Sequence, residues 1–272
     1  MPGKRIPLHY RGDEPGPGFF GRVVLKVKLR LDRQPVNNTD RTKMNIIKQK
    51  ALHLLENAFG KAGTVLAIRA WDPATFFEVD VHFPDMDMSG WKRVQHIKVR
   101  VGEGLYRDYT PSGWDADIRT CTLYINAEQD GPGAQWIRSV RAGDRITYVG
   151  VGATMHRPAY AGEMVVLGDM SSIGHYLALQ QLAGARKMTG AITIAHGNHR
   201  EEFREYFNWN IQPVKKSGDG GLHSMLKWAG DRQLAHSNVY ISGHIPTCIR
   251  LRKELKKRDD SPLGIQVQGF WS

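Results

Sequence analysis

The chain changes its hydrophobic grammar three times. From Arg22 to Leu31 it alternates, with Val23, Leu25, Val27 and Leu29 on one face and Lys26, Lys28 and Arg30 on the other, the period of a half-buried strand. Beyond Asn38 the spacing becomes helical. Thr39 or Asp40 stands as a cap, Met44, Ile47, Ala51, Leu54, Leu55 and Ala58 recur on one face, and Gly60 stops the run. After Gly63 come strands only: 64–70, 75–83, 93–101, 107–110 and 119–126. Asp-Pro, Pro-Asp and Gly turns punctuate them, which predicts an antiparallel β-barrel. A short helix opening at Gly131-Pro132 and running through Val140, then a strand over 145–151, completes this part.

From about Ala161 strands and helices alternate. Strands are predicted at 163–167, 191–195, 238–242 and 264–268, with helices at 173–183, 200–207, 222–228 and 247–257. Such alternation predicts a mostly parallel sheet with helices on both faces and ligands at the carboxyl ends of the strands. The expected fold is therefore two domains, a β-barrel followed by an α/β nucleotide-binding domain. The expected boundaries are an extension over 1–61, whose first 21 residues are Gly- and Pro-rich and read as a poorly ordered arm, then 62–160 and 161–272.

Composition narrows the function classes. With 272 residues and 41% hydrophobic content the chain is an ordinary globular one. No apolar run is long enough to span a bilayer, and Lys4 and Arg5 are followed by Gly and Pro instead of an apolar stretch, so a cytoplasmic monomer without membrane insertion is expected. Cys121 and Cys248 are far apart, which excludes a cysteine-ligated iron–sulfur cluster, and no resident metal is expected. His196-Gly197-Asn198-His199 lacks the four-residue spacing and acidic third ligand of a metal helix. The net charge of +11 suits nucleic acid, acidic proteins, phosphorylated cofactors or anionic chelates alike.

The candidate chemistry is concentrated in Arg107-Asp108-Tyr109-Thr110-Pro111. An anionic aromatic cofactor needs a guanidinium for its phosphate, a flat ring to stack on and a hydroxyl at the ring edge. In the extended conformation that Pro111 imposes on its predecessor, Arg107 and Tyr109 share a face. Taken alone the run reads first as an ordinary edge strand. Gly131-Pro132-Gly133-Ala134-Gln135-Trp136 opens a helix whose free N–H groups suit a diphosphate, and a purely structural cap explains the same residues equally well. The Gly168-to-Ser172 turn and Ser242-Gly243-His244 fall at strand ends. The alternating strand–helix region after Ala161 carries no Gly-x-Gly-x-x-Gly dinucleotide fingerprint.

Together, Gln95-His96-Ile97-Lys98-Val99, the Arg107–Pro111 run, the Gly131–Trp136 stretch, Gly168-Asp169, Ser242-Gly243 and the terminal Gly269-Phe270-Trp271 resemble, in order, the siderophore-interacting branch of the ferredoxin-reductase superfamily. The resemblance covers about 62–272. It implies an FAD-dependent ferric-siderophore reductase, an oxidoreductase carrying electrons from NADPH or NADH through FAD to an anionic iron chelate and releasing Fe(II). Arg107 would hold a phosphate, Tyr109 the ring, and Thr110 the reactive edge. Gly131, Gly133, Ala134 and Trp136 would form the diphosphate cradle, Asp169 and Ser171 the second-domain turn, and Trp271 a displaceable cover on the flavin. Thr110 and Trp271 would thus be the residues nearest the chemistry. Met170 and Gly174 stand where the family carries Glu and Pro, and His244 where it carries Glu, which leaves the electron donor open. Arg200, beside His199, points to a ribose 2′-phosphate and so to NADPH, and a solvated helix start accounts for both residues as well. The alternatives are a flavin reductase of the same fold with another acceptor or with ferredoxin as donor, and a non-enzymatic basic nucleic-acid-binding protein using residues 1–61.

Overall fold

The computed structural model describes residues 60–272, all within one compact unit, Lys48–Ser272. The expected arm, the 22–31 strand and the amphipathic helix after Asn38 lie outside the described residues.

Seven strands form an antiparallel sheet: β1 (Lys61–Trp71), β2 (Phe76–His82), β3 (Gln95–Gly102), β4 (Leu105–Tyr109), β5 (Pro111–Asp115), β6 (Thr120–Asn126) and β7 (Arg145–Ala153). Their order is β4-β3-β7-β1-β2-β6-β5. The two edge strands, β4 and β5, are consecutive in the chain and separated by Thr110 alone, so the sheet must roll until its ends meet. The result is barrel-like, with no hydrogen-bonded ladder between β4 and β5. Val65, Val79, Val81, Ile97, Val99, Leu123 and Ile125 alternate into its interior. Helix α1 (Pro132–Ser139) adds Ala134 and Ile137 to that core.

The second sheet is wholly parallel, in the order β10-β9-β8-β11-β12. It comprises β8 (Glu163–Asp169), β9 (Met188–Ile194), β10 (Ile211–Lys215), β11 (Ser237–His244) and β12 (Gly264–Trp271). Helices α2 (Ile173–Ala183), α3 (Gly197–Tyr206), α4 (Leu222–Gly230) and α5 (Ile245–Leu255) are interleaved. Both faces are covered, which is why β8 reads as a continuous apolar run. Met164 and Val166 face a core shared with α2 and α3, while Val165 and Leu167 face α4 and α5. Among the described residues no helix is long and apolar enough to cross a membrane.

Two strands escape the sequence pattern. β5 begins with Pro111 and contains Gly113 at φ +54°, and β10 carries Pro213; both residue types argue against a strand interior, and both strands are edges, where they are tolerated. Helix α3 starts at Gly197 instead of Arg200, and β12 runs to Trp271 instead of ending at Gln268.

The two sheets share a core. Trp71 and Phe76, at the β1–β2 hairpin, are fully buried in the same cluster as Tyr176 and Phe203. Polar contacts add to it: Glu78 accepts from Trp71 Nε1 at 2.6 Å and pairs with Arg69, and Arg69 reaches Glu202 of α3 at 3.1 Å. This common core fixes the cleft described next.

Candidate functional site

A cleft of about 460 Å³ opens where the β4–β5 junction, the start of α1, the turn after β8 and the end of β12 converge. Arg107, Tyr109, Thr110, Gly131, Gly133, Ala134, Ser171 and Trp271 all line it. Residues separated by more than 160 positions in sequence thus meet in one place.

Arg107 is exposed on β4, paired in register with Val99, and its Nη1 donates to the Tyr106 carbonyl at 2.7 Å. Tyr109 is half-buried, and burial pushes its phenol above the ordinary value while the Arg107 charge opposes that rise. The Tyr109 hydroxyl is therefore a neutral donor throughout the physiological range. Thr110 stands outside both flanking ladders, between the β3–β4 and β5–β6 pairings.

Helix α1 has an unusual start. Gly131 supplies no side-chain cap, Pro132 has no N–H, and no acidic residue lies in the first turn. Gly133 and Ala134, at a helix start without a side-chain acceptor, line the cleft together with Arg107. Such an arrangement is an anion site. Gly133 is required by close approach: a Cβ there would stand 2.9 Å from the Tyr109 hydroxyl and 3.4 Å from Arg107 Cγ. The residues present fit an aromatic cofactor bearing a diphosphate, with open space at Gly131, where an added Cβ would meet nothing within 4 Å.

Trp136 and Asp169 stand behind the lining. Trp136 stacks on Tyr109 with ring centroids 5.8 Å apart and planes 20° apart, so it braces the platform from the core side. Asp169 is buried at the end of β8, where it accepts from the Ser171 amide at 2.9 Å, from the Ser171 hydroxyl, and from the His244 amide at 2.7 Å. Burial raises its pKa, and these hydrogen bonds act against the rise. Gly243, at φ +117°, leaves space for that carboxylate, which any Cβ would overlap.

Trp271 is held from three sides. Its Nε1 donates to Ser171 Oγ at 3.3 Å, the His244 ring lies 4.4 Å away, and Lys216 Nζ sits 5.8 Å from the ring centroid. Lys216 also reaches Glu128, between β6 and α1, at 3.5 Å, an ion pair that ties the second sheet's loops to the first. Met170 is buried in the shared core and His244 packs on Trp271.

The two residues read either as 2′-phosphate ligands or as a solvated helix start make contacts within the protein. His199 is fully buried with Nε2 at 2.9 Å from the Pro73 carbonyl, and Arg200 donates to the Ile194 and Ala195 carbonyls at 3.2 and 3.0 Å. His199 is therefore not a solvated helix start, whereas Arg200 stays partly exposed near the start of α3. His196 and His199 rings lie 5.1 Å apart, and among the described residues no group of three or more His, Cys, Asp or Glu is placed to hold a metal ion. The thiols are buried, that of Cys248 being pushed up to about 12.

The sequence gives no site role to Tyr124, Thr154, His175 or Phe270, all of which stand in the cleft wall. Of these, His175 left one signal, a polar side chain at an inward position just after the Gly168–Ser172 turn.

No family model matches the chain, and no curated protein matches it. Solved structures do. A siderophore-interacting protein from Acinetobacter baumannii superposes with a TM-score of 0.62 at 13% identity, covering 78% of this chain and 90% of that one. A siderophore utilization protein from T. fusca gives 0.61 at 19% identity, covering 78% and 92%. A ferredoxin NADP+ reductase from Neisseria gonorrhoeae, solved with bound FAD and NADP, gives 0.61 at 14% identity, covering 78% and 99%. The described residues carry the two-domain fold that siderophore-interacting proteins and ferredoxin NADP+ reductases share.

Proposed function

We propose that this chain is a flavin-dependent oxidoreductase of the cytoplasm, a monomer that binds FAD in the cleft and passes electrons from NADPH or NADH to an anionic ferric siderophore. The observation that carries the reading is the convergence of Arg107, Tyr109, Thr110, the uncapped start of α1 and Trp271 on one cleft. Residues 62–160 would hold the flavin and 161–272 the nicotinamide.

Bound FAD would supply the redox chemistry, accepting two electrons together and releasing them singly. The protein's part is binding, orientation and exclusion of water. Arg107 and the Gly133 and Ala134 amides neutralise the diphosphate, and Tyr109, braced by Trp136, offers a neutral flat face. Thr110 presents a hydroxyl at the junction of β4 and β5. Trp271, held by Ser171 and His244 at the cleft, would shield a bound flavin ring from water and give way to the nicotinamide. A net charge of +11 draws in anionic chelates, and reduction to Fe(II) weakens the hold of hard oxygen ligands.

Purified full-length chain tests this directly. It should be yellow, or become so on reconstitution with FAD, be reduced by NADPH or NADH, and be reoxidised by ferric siderophores. A colourless protein that takes up no FAD would sink the reading. A flavoprotein that ferric chelates do not reoxidise keeps the flavin and loses the siderophore.

A further inference from the structure

Two buried histidines of the cleft region have no part in the reading above. His156, between β7 and β8, and His175, in the first turn of α2, are 0% and 1% exposed, and His175 Nε2 lies 2.8 Å from His156 Nδ1. His175 lines the cleft beside His96 and Thr154. Its other nitrogen, Nδ1, is buried without a hydrogen-bond partner. An unpaired buried polar atom is costly, and a ligand that pairs it recovers that cost.

The geometry also sets which kind of partner is wanted. Burial keeps both rings neutral, holding His156 at about 4 and His175 well below the ordinary value, with the neighbouring His156 and His96 acting on His175 in the same direction. A bond between two neutral imidazoles needs one N–H and one lone pair. His156 Nε2 is also buried and makes no hydrogen bond of full geometry, but the main chain of Gln266 pulls His156 upward, as a nearby carbonyl oxygen does by favouring an imidazole N–H turned toward it. With His156 Nδ1 turned to His175, that hydrogen belongs on Nε2. His156 Nδ1 is then the acceptor, His175 Nε2–H the donor, and His175 Nδ1 a bare lone pair. The ring is braced by Phe270, 5.3 Å away, and by the adjacent Tyr176, whose hydroxyl donates to the Leu167 carbonyl at 2.7 Å and the Tyr240 carbonyl at 3.1 Å.

We propose that His175 Nδ1 accepts a hydrogen bond from a ring N–H of the isoalloxazine, and that His156 is the positioning residue that fixes the His175 tautomer. The inference rests on the flavin reading. An oxidised isoalloxazine has one ring N–H and a reduced one has more, so the acceptor favours whichever state brings an N–H to it.

The test uses the full chain, FAD and His175→Phe, which keeps a ring against Phe270 and removes the acceptor. The variant should bind at least one redox state of FAD on the order of tenfold more weakly. If the loss is confined to the reduced state, the two-electron potential of the bound flavin falls by about 30 mV. Nitrogen NMR of ¹⁵N-histidine wild-type protein decides the matter should the variant not fold: His175 Nδ1 should be unprotonated and its resonance should move when FAD is added. In His156→Phe, the same nucleus should report a mixture of tautomers. Equal affinity of wild type and His175→Phe for both redox states, or a His175 Nδ1 that is protonated or indifferent to FAD, overturns the proposal. A His156→Phe spectrum with the tautomer unchanged removes His156 from it. Wild-type protein that takes up no FAD instead defeats the flavin reading itself, a distinguishable result.

Discussion

Gly133 and Tyr109 are fitted to each other: the α1 backbone approaches so closely that a Cβ at 133 would stand 2.9 Å from the Tyr109 hydroxyl, whose ring is already fixed from behind by Trp136. The ring has little freedom to yield. Gly133→Ala should therefore displace the platform or the helix start, at a cost of about 1–3 kcal/mol. FAD titration should show at least tenfold weaker binding with the circular dichroism unchanged. Undiminished affinity would mean that the approach of α1 to Tyr109 does not shape the binding site.

Arg107 has no carboxylate partner among the described hydrogen bonds and salt bridges, and its Nη1 contacts only the adjacent main chain. Its charge is available to a phosphate. Arg107→Ala should remove a charge-assisted contact of about 2 kcal/mol, roughly thirtyfold in affinity. Equilibrium dialysis against FAD measures it, and full flavin occupancy at low protein concentration would assign Arg107 another role.

Trp271 contacts Ser171, His244 and Lys216, all on the second sheet or its loops. Removing Trp271 and Ser272 should uncover the cleft with little effect on the Arg107 end. The expected result is a changed KM and kcat for the nicotinamide donor with FAD affinity within about threefold, since the diphosphate contacts are untouched. Stopped-flow reduction of wild-type and truncated protein compares the two, and identical donor kinetics would deny Trp271 its covering role.

The His156–His175 pair makes a stability prediction independent of any ligand. His156 titrates at about 4 in the folded protein and near 6.5 unfolded, so between those values the unfolded chain binds more protons. Its contribution is fully present above about pH 6.5 and is lost as pH falls toward 4, about 3 kcal/mol in all. His175 acts in the same direction. His96, Tyr176 and Tyr240 are the other titratable groups near the pair, and the tyrosines stay neutral across this window. Thermal melts between pH 7 and 4 should show a falling Tm, and His156→Phe should flatten that slope. A wild-type Tm independent of pH over this range would mean that the pair is not buried neutral.

What could be read from the sequence divides along physical lines. The β8 and α2 patterns are unambiguous because both are buried on several sides, and the extent of α2 is as the periodicity predicts. Edge strands β5 and β10 were hidden because edges accept the prolines that central strands reject. Arg107, Tyr109 and Thr110 were legible as a cluster because adjacent strand residues carry them. Trp136 and Asp169 were legible as members of the site but not as its second layer, since spacing does not say which side of a ring faces the core. His199 and Arg200 read two ways in sequence, because a helix start after a parallel strand is either solvated or a phosphate site, and here contacts with the Pro73, Ile194 and Ala195 carbonyls engage both side chains. The pairing of His175 was not legible because its partner, His156, is 19 residues away and lies on another element.

The first sheet behaves as a hoop whose clasp is a single pin. Since β4 and β5 are its two free ends and Thr110 is all that separates them, the hoop's circumference is set at that residue by covalent geometry and not by another rung of hydrogen bonds. An inserted residue there would slacken the hoop and, by the two-residue period of a strand, turn the facing of β5 relative to β4. Arg107 and Tyr109 sit on one side of the pin and Pro111 on the other. Closing the hoop and aiming the candidate cofactor contacts are therefore the same geometric act.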